Sequence, residues 1–235
     1  MKHLDDFISN LKKILGDNLI TVLIFGSQAF VEPEKLKSNI NLMIVLEHLS
    51  SDDLKQISKP VQKWVKAKNP IPIIMGKSEW YSSFDVYALE YSDIKEKYRL
   101  LYGEDLTKDI NVDKHYLRLQ CESELKNLFL KYRNNYLLNI NSDREMEKLA
   151  NNVIKTLLVI FRGVIRLHSE LVPDSSEYVI LQAAKFLDID TDLLIKMANV
   201  RDGKTDYKHK EIRDISDRMV TILQDILRQV DLMRF

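Results

Sequence analysis

The chain has 235 residues, 35 Lys+Arg against 35 Asp+Glu, and one cysteine, Cys121. This length accommodates one large domain or two modest ones, and the zero net charge excludes the basic surplus of a general nucleic-acid binder. A lone cysteine excludes an internal disulfide framework and a multi-cysteine zinc site.

Leu4, Phe7, Ile8, Leu11, Ile14 and Leu15 form an apolar stripe at helical spacing, stopped by Gly16. The β-branched run from Leu19 to Phe25 ends at Gly26 and predicts a strand. Asn39 to Glu47 predicts a second, with polar and apolar residues alternating at its start. Residues 52–68 carry Leu54, Ile57, Val61, Trp64 and Val65 on one helical side, with Pro60 placed to kink or shorten the helix. Ile71 to Met75 predicts a third strand, Asp85 to Tyr91 a fourth, and Arg99 to Tyr102, closed by Gly103, a short fifth.

From about residue 113 the strand signals vanish. Leu117, Cys121, Leu125, Leu128, Phe129, Tyr132 and Tyr136 repeat at helical spacing, as do Leu149, Val153, Leu157, Ile160, Phe161, Val164 and Ile165. Shorter helical segments fall near 176–187 and 191–200, and Ile212 to Val230 forms a last long one. Long helices joined by short loops predict a helical bundle. The reading is therefore two domains, 1–106 with mixed strands and helices and 107–235 all helical. No apolar run approaches the ~18 residues of a membrane span, and the first fifteen residues lack a signal-peptide layout, so a soluble cytoplasmic protein is expected.

The most informative local feature is a strand ending in Gly26–Ser27, an eleven-residue spacer (28–38), then Asn39-Ile40-Asn41 opening the next strand. A Gly-Ser turn lets backbone N–H groups and a hydroxyl approach an anion closely. Residues two apart on a strand share a face, which would put Asn39 and Asn41 together. This pattern resembles the polymerase-beta-like nucleotidyltransferase superfamily, whose signature is strand–Gly-Ser, a similar spacer, then Asp-x-Asp. Further on, Leu89-Glu90-Tyr91 and Leu101-Tyr102-Gly103-Glu104-Asp105 resemble bacterial nucleotidyltransferase-domain proteins, as does the run from Tyr116 through Glu122 and Glu124.

The resemblance implies an α/β (α+β) nucleotidyltransferase-like domain with a small mixed sheet, followed by an all-α helical bundle. It implies that Gly26 and Ser27 hold a nucleotide's triphosphate, and that Asn39, Asn41 and Glu90 stand where the family has its three carboxylates. Asp85 competes with Glu90 for the third position, and Glu122 or Glu124 would stand near the acceptor substrate. The departure lies at Asn39 and Asn41. Two-metal phosphoryl transfer needs anionic oxygens, and an amide supplies a neutral one. Glu47 shares the strand's alternation but lies about 26 Å along it, at ~3.3 Å per residue, and Glu32 and Glu34 fall in the spacer.

The resulting expectation is a degenerate nucleotidyltransferase, a pseudoenzyme with no intact metal site, which either binds nucleotide without turnover or acts only as a scaffold for the bundle. Its partner would be a nucleoside triphosphate, with Mg²⁺ as cofactor only if activity survives. One alternative is an active enzyme moving a nucleoside monophosphate to a small molecule or protein. Another is an antitoxin-type interaction module with a protein partner or a second copy of itself. No membrane or nucleic-acid partner is expected. Arg162 and His168 match an Arg-x5-His nuclease spacing but fall in an apolar helix, and His3, His48, His115 and His209 have no partner at metal-ligand spacing.

Overall fold

The computed structural model describes residues 2–32, 39–208 and 211–235, so Glu34 and His209 lie outside the described residues. Contacts divide the chain into two compact units, Met1–Val112 and Asp113–Phe235.

The first unit is built on a four-stranded mixed sheet. Its strands are β1 (Leu19–Phe25), β2 (Asn41–Leu46), β3 (Ile73–Gly76) and β4 (Tyr98–Gly103), in the order β3-β2-β1-β4. β1 runs antiparallel to both β2 and β4, while β2 and β3 are parallel. Both faces of β1 are covered, which is why its sequence is apolar at every position but Thr21 rather than alternating. Helices α1 (Lys2–Leu15) and α2 (Ser51–Lys66) cover one face, where Leu4, Phe7, Leu11 and Trp64 meet Val22, Ile24, Leu42 and Ile44. The Phe7 and Trp64 rings stack there at 5.0 Å. Helices α3 (Lys77–Ser82) and α4 (Ala88–Glu96) belong to the other face, where Trp80, Tyr91 and Ile94 meet Leu23, Met43 and Val45.

One expectation is narrowed and one corrected here. Pro60 lies inside α2 without ending it. The missing N–H costs one helical bond, but burial of Ile57 before it and Trp64 after it holds the helix to the sheet. The segment Asp85 to Tyr91 is not a strand. It is a turn leading into α4, in which Val86 and Tyr87 donate backbone N–H groups to Ser83 O and Ala88, Leu89, Tyr91, Ser92 and Ile94 are buried at helical spacing. The apolar residues of 85–91 fit one buried helical face as well as a short strand, and packing against Trp80 selects the helix.

The second unit consists of α5 (Lys114–Asn139), α6 (Asp143–Leu167), α7 (Ser176–Ala183), α8 (Thr191–Arg201) and α9 (Glu211–Leu232). α6 is central and packs against the other four. Its buried residues, from Met146 to Leu167, fill most of its circumference in the second half. Among the described residues no helix is long and apolar enough to cross a membrane.

Candidate functional site

β1 delivers the chain to Gly26, whose φ of 77° lies in the left-handed region that glycine tolerates without strain. There the backbone leaves the sheet in a short 3-10 turn, Gly26–Gln28, closed by Ala29 N–H donating to Gly26 O at 3.0 Å. Ser27 lies within this turn. Buried Ala29 anchors the turn to the apolar cluster beneath α1 and α2. On the other side, Gly26 N–H donates to Lys97 O at 2.8 Å, which ties the turn to the C-terminal end of α4 and the start of β4.

Asn41 opens β2 directly opposite Phe25, so strand pairing brings it to the turn. A Cβ built on Gly26 would lie 3.5 Å from Asn41 Nδ2. The Asn41 amide therefore packs against Gly26, where the resemblance implies a carboxylate. Asn39 is placed differently. It precedes the strand with φ 73°, a left-handed conformation that asparagine tolerates better than most residues, and its side chain is exposed. Its N–H donates to Lys68 O at 3.2 Å, and buried Ile40 donates its N–H to Asn69 Oδ1 at 3.2 Å. The expectation that strand alternation puts Asn39 and Asn41 on one face is corrected, because β2 begins only at Asn41.

Glu90, expected on a strand, sits exposed in the first turn of α4. Seven residues at ~1.5 Å each separate it from Lys97, about 10 Å along the helix axis from the Gly26 contact. Asp85 is exposed in the preceding turn. β4, the strand beside β1, has the sequence YRLLYG and no carboxylate. Two acids follow it. Asp105 is penalised by burial, but hydrogen bonds from Thr107 and Tyr98 hold its carboxyl below the usual range. Glu104 pairs with Lys77 at 3.2 Å.

β4 instead supplies a cation that the sequence reading missed. Arg99 lies opposite Ile24, its Nη1 donates to Val31 O at 2.8 Å just past the turn, and its Nε is buried without a hydrogen-bond partner. Lys97 and Lys68 also touch this segment, but through their main-chain carbonyls, which accept from Gly26 N–H and Asn39 N–H. No local motif marks Arg99, since the pairing of β4 with β1 joins residues more than seventy positions apart.

Glu122, expected on the acceptor side, is 8% exposed on α5 and accepts from Arg118 at 2.8 Å and from Lys126. The Lys126 hydrogen bond, with that of Arg118, holds its carboxyl below the ordinary range against the opposing effect of burial. Glu124 is half-buried on the same helix. His168, which burial pushes toward the neutral form, stacks on Phe186 at 3.8 Å, so the helix end uses it for packing.

Magnesium binds through one or two carboxylates and substrate phosphates, with near-ideal octahedral geometry. The Gly26 turn offers the Asn41 amide, and Asn39 is a second neutral group. Among the described residues, no three His, Cys, Asp or Glu side chains are grouped to hold a metal ion. The residues at this turn do not fit the family's metal pair.

No protein-family model and no curated protein matches the chain. Among solved structures, it is similar to the spectinomycin adenyltransferase AAD(9) from Enterococcus faecialis, crystallised with ATP and spectinomycin. The TM-score is 0.56 at 15% identity, over 94% of this chain and 99% of that one. The likeness shows a nucleotidyltransferase fold followed by a helical region.

Proposed function

From that shared fold, we propose that the chain is a degenerate nucleotidyltransferase, which receives the phosphates of a nucleoside triphosphate at the Gly26–Ser27 turn without transferring the nucleotide. The observation that carries this reading is the Asn41 amide packed 3.5 Å from the Cβ position of Gly26, where metal-dependent transfer requires a carboxylate. Glu90, exposed on α4, cannot by itself assemble a two-metal clamp. On this reading the family's site positions are Asn39, Asn41 and Glu90 for the carboxylates and Gly26 and Ser27 for phosphate. The unit Met1–Val112 binds, and the helical unit is its companion.

Isothermal titration with ATP, GTP, CTP and UTP, paired with a pyrophosphate-release assay, tests the proposal. Binding without pyrophosphate release is expected. Magnesium-dependent binding accompanied by pyrophosphate release would overturn it.

The active alternative has its own support, since the similar adenyltransferase was crystallised with ATP and a small-molecule acceptor. Glu90→Gln separates the two readings: a working transferase loses most of its turnover, while a binding protein keeps its affinity. An interaction module is favoured by the end of α5, where Leu137 and Leu138 are 75% and 82% exposed. That reading predicts a stable complex whose formation does not respond to nucleotide.

A further inference from the structure

α5 is apolar on two sides, and the bundle covers one of them. Leu117, Cys121, Leu125, Leu128 and Tyr132 are buried against it. A surface helix ordinarily presents polar residues on the opposite face. That face of α5 instead carries Tyr116, Leu119, Leu130, Leu137 and, at the C-cap, Ile140, all between 40% and 75% exposed. They fall in two rows that repeat every seven residues. Tyr116, Ser123, Leu130 and Leu137 make one row, and Leu119, Lys126, Arg133 and Ile140 the other. The rows are offset by three residues, the spacing of a two-helix seam.

The rows complement themselves when a second copy of the helix runs antiparallel. Setting Leu119 opposite Leu137 of the other copy also sets Tyr116 opposite Ile140, Lys126 opposite Leu130 and Ser123 opposite Arg133. Each pairing then occurs twice, as a two-fold axis requires. Apolar side chains meet at both ends, the small serine leaves room for the long arginine, and the lysine stem packs on leucine. Charge agrees with this register. Each Lys126 already donates to Glu122 of its own chain, and each Arg133 guanidinium lies 4.6 Å from its own Phe129 ring. The two Arg133 groups stand ten residues apart along the seam, about 15 Å. A parallel pairing would place Lys126 on Lys126 and Arg133 on Arg133.

We propose that the outer face of α5 is a homodimer interface, formed antiparallel with a second copy of this chain about a two-fold axis midway between Lys126 and Leu130. The interface is independent of nucleotide at the Gly26 turn. Three of its eight seam positions, Ser123, Lys126 and Arg133, are polar, so the dimer is a weak one that forms at micromolar concentration.

The test is sedimentation velocity of the full chain from about 1 to about 200 µM, with dimer expected to dominate at the upper end. Leu130→Glu/Leu137→Glu, at exposed positions, is expected to raise the dissociation constant at least about tenfold with an unchanged circular dichroism spectrum. Leu119→Cys and Leu137→Cys variants, treated with a short bis-maleimide, test the register; native Cys121 is fully buried and stays out of the reaction. The two variants mixed are expected to cross-link to each other. Neither is expected to cross-link to itself, because its two thiols stand eighteen residues apart along the seam, about 27 Å. Self-linking of either variant overturns the antiparallel register. A wild-type chain that stays monomeric at about 200 µM, or a double variant that dimerises as wild type does, overturns the interface and leaves this face to a different protein.

Discussion

Gly103 shows how much a single position can depend on missing atoms. Its φ is 82°, and a Cβ there would stand 1.8 Å from the Ile20 carbonyl oxygen, a backbone atom inside the sheet. The close approach lets Thr21 donate its hydroxyl to Glu104 O at 2.6 Å and Glu104 N–H to pair with Ile20 O at 3.0 Å. Gly103→Ala is therefore expected to destabilise the fold by about 3 kcal/mol or more, combining left-handed strain with displacement of β1 from β4, and urea denaturation would measure it. Gly26 differs, because its Cβ position meets Asn41 Nδ2 at 3.5 Å, which is ordinary contact. Gly26→Ala is expected to cost only the left-handed penalty, about 1–2 kcal/mol, as measured by thermal unfolding, and on the proposed nucleotide-binding reading it should also weaken binding by straining the turn, as measured by titration.

Among the elements, α2 and α5 depend most visibly on particular polar contacts. Ser50 caps α2 by accepting from Asp53 N–H, and the Asp53 carboxylate accepts in return from Ser50 N–H at 2.9 Å. Ser50→Ala should lower stability by about 1 kcal/mol, read as a reduced unfolding midpoint, with Asp53→Asn costing less because an amide oxygen can still accept. On α5, Glu122 lies between Arg118 and Lys126 with its carboxyl held below the ordinary value of 4.5. A depressed carboxylate stabilises the folded state fully above its unfolded value, and that contribution is lost as pH falls through the folded value. Glu122→Gln should therefore cost about 1–3 kcal/mol near neutral pH and flatten the stability profile below about pH 4.5, as measured by urea unfolding across pH. A variant with an unchanged acid limb would show that the trio contributes nothing to acid stability. Cys121, next to Glu122, is fully buried and its thiol is pushed up to about 12, so it should resist thiol reagents in the folded chain.

At the scale of the molecule, the first unit encloses two apolar clusters, one on each face of a single sheet. Leu11 is buried in the cluster beneath α1 and α2, and Ile94 in the cluster beneath α4. Leu11→Ala and Ile94→Ala should each cost about 2–5 kcal/mol, and the double variant should cost their sum within about 0.5 kcal/mol, because the sheet stands between them. A clear shortfall in urea denaturation would mean that the sheet transmits strain between its faces. In the second unit, α6 is the shared packing partner of the other helices, so Leu157→Ala, at a fully buried position, should lower the stability of the whole bundle.

What was legible in the sequence was local. Leu19 to Phe25, the stripes of α5, α6 and α9, the stop at Gly16, and Gly26–Ser27 with its spacer are each stated by neighbouring residues, because periodicity and turn chemistry act over a few positions. The two amides at Asn39 and Asn41, where the resemblance implies acids, were legible too, since side-chain charge belongs to the residue. Tertiary structure decided the rest. Packing against Trp80 made 85–91 a turn and helix, which moved Glu90 off a strand. The pairing of Phe25 with Asn41 brought the amide to Gly26, and the pairing of β1 with β4 brought Arg99 to the same segment. Those contacts include pairs more than seventy positions apart, and their geometry comes from strand register and burial, which no local window of sequence contains.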